Sequence, residues 1–218
     1  DINTFLEPIF EKIDLLKFLP ATTRGVFQVD PKAPGAMDTS LTSTAWGSGP
    51  LQILQQYSAG MAIADNAQRL VLAQISGSPD QFILLARLDS SNVDTVAAGI
   101  SVTAAGVYQG YQRWSIGGTD LQLAKIDSLT LAIAPQAALQ QALDVDAGVG
   151  AAIGTGPLGT YLAGLNVGQP NNVVYGLPAL YGTVAAPGSG TASLSQARVV
   201  SASFGIQGDV LSGGLVFY

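Results

Sequence analysis

Apolar residues recur at helical spacing at the start of the chain, where Ile2, Phe5, Leu6, Ile9, Phe10, Ile13 and Leu16 form one stripe. Glu7, Glu11, Lys12 and Asp14 stand away from it, so the segment predicts an amphipathic helix that Pro20 ends. Thr4 and Glu7 have the spacing of a capping box, while Pro8 suits a start one turn later. A strand is expected over Gly25 to Val29, closed by Asp30-Pro31. Residues 31–50 collect Pro, Gly, Ser and Thr and read as a long loop, followed by a helix over Leu51 to Ala64.

The clearest hairpin joins two apolar runs, Arg69 to Ile75 and Phe82 to Leu88, across the turn cluster Ser76-Gly77-Ser78-Pro79-Asp80. Asp89 to Asn92 caps a third helix reaching about Ala98. Strands follow over Val107 to Ile116 and Leu121 to Ile126 around Gly117 to Asp120, then Leu129 to Ala134, then a short helix over Gln136 to Leu143. A weak helix over Leu158 to Leu165, a strand over Asn172 to Gly176, a loop over Tyr181 to Leu194 and a final hairpin (Arg198 to Phe204, Val210 to Tyr218) complete the pattern.

The order helix, strand, long loop, hairpin occurs twice, and Arg69 to Ile75 aligns without a gap to Arg198 to Phe204. The expected fold is therefore a single α+β domain over residues 1–218, with antiparallel sheets covered by helices on one face. Two pseudo-repeated helix–strand–helix–hairpin halves, about 1–100 and 150–218, would flank a strand-rich piece at about 101–149. A covering helix follows Leu88 but has no counterpart after the second hairpin, so either the chain continues beyond Tyr218 or a neighbouring molecule covers that sheet.

Composition narrows the chemistry. Of 218 residues only 11% are charged and 48% are apolar, so the surface is built from Ser, Thr, Gln, Asn, Gly and Ala and favours packing against something. The net charge is −6 and the nine basic residues are scattered, which argues against nucleic acid. There is no cysteine and no histidine, so thiol, imidazole and Cys- or His-ligated metal chemistry are excluded. No apolar stretch approaches the ~20 residues of a membrane span. The opening Asp1-Ile2-Asn3-Thr4 is not a secretory leader, so an exported protein would be in its mature form; a cytosolic domain is the other reading.

The motifs that remain are weak. Gly154-Thr-Gly156-Pro-Leu-Gly159 matches the G-x-G-x-x-G fingerprint that turns backbone amides toward a pyrophosphate. It lies in a Gly/Ala-rich stretch without the acidic ribose partner, so a connector is the plainer reading. Asp144-x-Asp146 with Gly148 has the opening spacing of a calcium loop but lacks the later ligands, and a helix-end turn explains it better. Glu7 and Glu11 suit a solvated helix face. Carboxylate pairs with Trp46, Tyr108, Tyr111 and Trp114 as stacking platforms would suit a sugar, but their spacing singles out no site and packing is the simpler account. A serine nucleophile would need a lysine base among Lys12, Lys17, Lys32 and Lys125; Lys125 stands on the same strand face as Asp127, and Ser48 and Ser189 sit in Gly-flanked loops without a nucleophile elbow.

Around Leu19-Pro20-Ala21, the hairpin Arg69 to Leu88, the strand from Val107, and Leu129 to Ala134 before the helix at Gln136, the chain resembles a repeat-containing family of bacterial cell-envelope proteins of unknown function. The resemblance covers most of the chain by pattern, without a diagnostic motif. It implies a periplasmic, cell-surface or extracellular location and no catalytic residues. The function expected first is a non-enzymatic structural or interaction protein, self-assembling as a homo-oligomer or polymer through the C-terminal edge strand. A carrier for an apolar small molecule comes second, and a carboxylate-based enzyme or dinucleotide binder third. No catalytic, cofactor-binding or metal-binding residue is assigned, and no cofactor is expected.

Overall fold

The computed structural model describes residues 15–32, 63, 65–75, 81–89, 93–100 and 102–162, and the backbone of strands at 171–176, 199–207 and 210–217. The expected helix before Leu15, most of that over Leu51 to Ala64, and the loops at 33–50 and 177–198 lie outside the described residues.

Among the described residues ten strands form one antiparallel sheet. They are β1 (Thr23–Val29), β2 (Ala67–Ile75), β3 (Phe82–Leu88), β4 (Val102–Tyr108), β5 (Tyr111–Ile116), β6 (Leu121–Lys125), β7 (Thr130–Pro135), β8 (Asn171–Gly176), β9 (Val199–Gln207) and β10 (Val210–Phe217). Their order is β10-β9-β8-β1-β2-β3-β7-β6-β5-β4. The chain lays down β1, β2 and β3, crosses to the far edge through the helix α1 (Val93–Ala98), and returns as the meander β4 to β7 until β7 pairs with β3. A second helix, α2 (Gln136–Asp146), follows β7 at once; β8 then pairs with the free side of β1, and β9 and β10 extend that side.

This corrects the expected architecture. One continuous sheet replaces two separate ones, and its central strands are covered on both faces rather than one. The reason lies in β2, β3 and β7, which carry apolar side chains at consecutive positions instead of alternating ones. Leu70, Leu72, Leu84, Ala86, Leu88, Leu131 and Ile133 enter one core with Val93 of α1, Ile63, Leu121 and Leu123. Val71, Ala73, Ile75, Ile83, Leu85, Ala132 and Ala134 enter the other, with Leu15, Phe18 and Leu19 around a short 3-10 turn and with Ala138, Leu139, Ala142 and Leu143 of α2. Burial of this kind contributes roughly 25 cal/mol per Å² of apolar surface removed from water. Nor do the described elements build two helix–strand–helix–hairpin halves, because the central piece is inserted into the sheet between β3 and the far edge.

The two covered faces differ in side-chain size. Opposite α2 the sheet offers Ala124, Ala132 and Ala134 beside Ile83 and Leu85, and the helix answers with Ala138, Leu139, Ala142 and Leu143. Opposite α1 the sheet offers Leu123, Leu131 and Trp114.

One strand expected over Val107 to Ile116 is instead the hairpin of β4 and β5. It turns at Gln109 (φ 51°) and Gly110 (φ 85°), the double positive φ of a tight hairpin turn. The β6–β7 connection is organised by Asp127, whose carboxylate accepts from the Leu129 amide (2.8 Å), the Thr130 hydroxyl (3.0 Å) and Arg87 on β3 (3.1 Å). Arg87 also reaches the Thr130 hydroxyl at 3.0 Å, which ties the turn to the β3–β7 seam.

Candidate functional site

Among the described residues a half-open cavity of about 200 Å³ lies between α1 and the far half of the sheet. Val93, Ala97 and Ala98 of α1 form one wall; Val102, Trp114, Leu123 and Leu131 from β4 to β7 form the other. The space arises locally from sequence, because alanines at 97 and 98 leave the helix thin where it crosses the meander. At the rim the Lys125 ammonium donates to both carboxylate oxygens of Asp94 at 3.1 Å. Asp94 is 81% exposed and Lys125 34%, so the pair is largely screened by water. The cavity is smaller than the ~300–1,000 Å³ that houses drug-sized ligands. It suits a slender apolar segment.

The structure separates the residues that sequence spacing had brought together. Lys125 pairs with Asp94 on α1, and Asp127 with Arg87; no base–nucleophile pair forms from Lys125. Trp114 belongs to the α1 face, whereas Tyr108 and Tyr111 pack on the α2 face, so the aromatics make no common platform. Trp46, Ser48, Ser189, Lys12, Glu7 and Glu11 lie outside the described residues. Among the described residues no three acidic side chains gather as a metal would require. No described helix is long and apolar enough to cross a membrane.

Gly154-x-Gly156-x-x-Gly159 serves packing. No strand precedes it; Ala152 makes only an isolated bridge to Pro20, and the following α3 (Gly159–Leu162) is a single turn. The segment is stitched to the Leu19–Ala21 turn by Ile153 N to Leu19 O (2.7 Å) and Ala21 N to Ala151 O (2.8 Å). A Cβ on Gly156 would sit 2.2 Å from the Ala21 carbonyl oxygen, and one on Gly159 2.2 Å from that of Gly154. Gly156 and Gly159 are needed because backbone meets backbone there, whereas a Cβ on Gly154 would meet open space.

Asp144 and Asp146 occupy the last turn of α2, as a helix-end reading expects, and they meet a partner the sequence did not indicate. The Tyr108 hydroxyl donates to Asp144 (2.9 Å), Gln109 donates to the same carboxylate (3.3 Å), and the Tyr111 hydroxyl donates to Asp146. Two carboxylates near the negative end of a helix with no basic residue in that turn are unfavourable, and the phenols at the β4–β5 hairpin tip offset this. The hydrogen bond to Asp146, aided by burial and the carboxylate charge, pushes the Tyr111 phenol up to about 12. Tyr108 is raised as well, first by its bond to Asp144. The latch closes the α2 face at its outer end.

No family model matches the chain. No curated protein matches it. Its fold is similar to that of TP0453, solved in several crystal forms. Crystal form III has a TM-score of 0.58 at 6% identity, covering 94% of this chain and 80% of that one. Crystal form IV gives 0.56 at 7% over 94% and 80%, and crystal form I 0.55 at 10% over 95% and 79%. At such identities the likeness is one of fold.

Two outcomes follow from these contacts. Gly156→Ala will destabilise the protein by about 1–3 kcal/mol through overpacking, read as a lower urea midpoint with unchanged slope; an unchanged midpoint would show that the loop shifts freely. Because the folded Tyr111 pKa lies above its ordinary value of 10, the stability it lends is complete below pH 10 and is lost as pH rises toward 12. Tyr111→Phe should remove that alkaline loss and, from the tyrosinate absorbance titration, the component near pH 12.

Proposed function

We propose that the protein is a non-enzymatic binding protein of the bacterial cell envelope or exterior that holds the apolar part of a small molecule between α1 and the sheet. The observation that carries this is the cavity itself, whose walls are apolar and whose polar groups are confined to a single ion pair at the rim. The chain's lack of histidine and cysteine and its weakly charged composition favour binding over catalysis. The resemblance around Leu19-Pro20-Ala21 supports the location.

A second reading, self-association, has its own observation. Among the described strands β10 pairs only with β9 and stands at one end of the sheet, the position from which a strand of another chain can extend it.

Each reading has a direct test. Titration with octanol should change the Trp114 fluorescence saturably, the contribution of Trp46 being removed by difference against Trp114→Phe. Ala97→Leu, which fills the cavity, should weaken that binding by about tenfold or more. A native protein that gives no saturable change overturns the carrier reading. For self-association, light scattering should return a mass above that of one 22.3 kDa chain, and a monomer at high concentration overturns it.

A further inference from the structure

We infer that the pocket under α1 selects an amphipathic anion, a single apolar chain ending in a carboxylate, with Lys125 as its head-group site. This rests on the carrier reading and adds the chemistry of the ligand's polar end. Lys125 and Leu123 are two residues apart on β6 and line the same cavity, so the ammonium stands directly above an apolar floor. Its present partner is the weak member of the pair, since the Asp94 carboxylate is 81% exposed while Lys125 is 34% exposed. An incoming carboxylate whose chain fills the cavity exchanges an exposed, screened counter-ion for one held in place by the apolar contacts of its own tail. Asp94 returns to water at little cost because it is already mostly in water.

The alternatives fit less well. A neutral chain of the same length fills the floor but offers Lys125 no counter-charge, and it leaves the existing ion pair as it is. A cationic chain would have to use Asp94, which stands at the outer side of the rim where charge is most screened. The cavity of about 200 Å³ takes a short alkyl chain or one end of a longer one.

The test compares octanoate, octanol and octylamine, below their micelle concentrations and at low salt, by calorimetry and Trp114 fluorescence. It uses the native protein, Lys125→Gln and Asp94→Asn, with Lys125→Met as a second variant that keeps the stem, all first checked for native thermal unfolding. Octanoate should bind several-fold, up to about tenfold, more tightly than octanol, the gain being the exchange of a screened partner of Lys125 for one anchored by its own chain. Lys125→Gln and Lys125→Met should abolish that preference, octanoate falling to the affinity each variant shows for octanol, and Asp94→Asn should tighten octanoate alone. Equal binding of octanoate and octanol, unaffected at Lys125, overturns the head-group assignment and leaves the carrier reading standing. A preference for octylamine overturns it in favour of Asp94. Failure of all three to bind overturns both.

Discussion

The structure depends on one constraint: the strands at the middle of the sheet are apolar on both sides. An antiparallel sheet with alternating residues can leave one face in water, but Leu70-Val71-Leu72-Ala73 and Phe82 to Ala86 cannot. Both faces must be covered, and the chain path does so by placing α1 across one and α2 across the other between successive strands. The meander β4 to β7 then has to start at the far edge and work inward, which is how β7 comes to lie beside β3. The position of the cavity is a by-product of that path. It lies where a thin helix crosses a meander rich in large side chains.

Much of the strand pattern was legible from the residues. The hairpin of β2 and β3, the turn at Gly117–Gly118, β7 and α2 all stand close to where hydrophobic periodicity and turn chemistry place them. What stayed hidden has physical reasons. The continuous apolar runs of β2, β3 and β7 call for cover on both faces, but a strand taken by itself does not say which later segments supply that cover. The turn at Gln109–Gly110 was missed because glutamine rarely adopts a positive φ, unlike the Asn-Gly or Asp-Gly pairs that announce such hairpins.

The site was less legible than the fold. Lys125 and Asp127 sit two residues apart and suggest each other as partners, yet one faces α1 and the other is taken by Arg87 across the β3–β7 seam. Only the crossing of α1 brings Asp94 to Lys125, and nothing in either segment names the other. The glycine motif reads as a connector, and the close backbone approach of Gly156 to the chain's own Ala21 is not foreseen from it, because the approaching stretch of chain lies far away in sequence. Asp144 and Asp146 were placed rightly at a helix end, but their phenol partners come from a hairpin more than thirty residues earlier.

The difference in side-chain size between the two faces divides the molecule's freedom to vary. On the α2 face Ala124, Ala132, Ala134, Ala138 and Ala142 are fully buried together with Leu85, Leu139 and Leu143, so enlarging one of the alanines overpacks that core. On the α1 face, residues such as Ala97 and Ala98 border free volume and can grow or shrink while the strands keep their register. Descendants of this sequence can therefore reshape that free volume through a handful of positions on one short helix. The fold itself is kept by alanines that have nowhere to go.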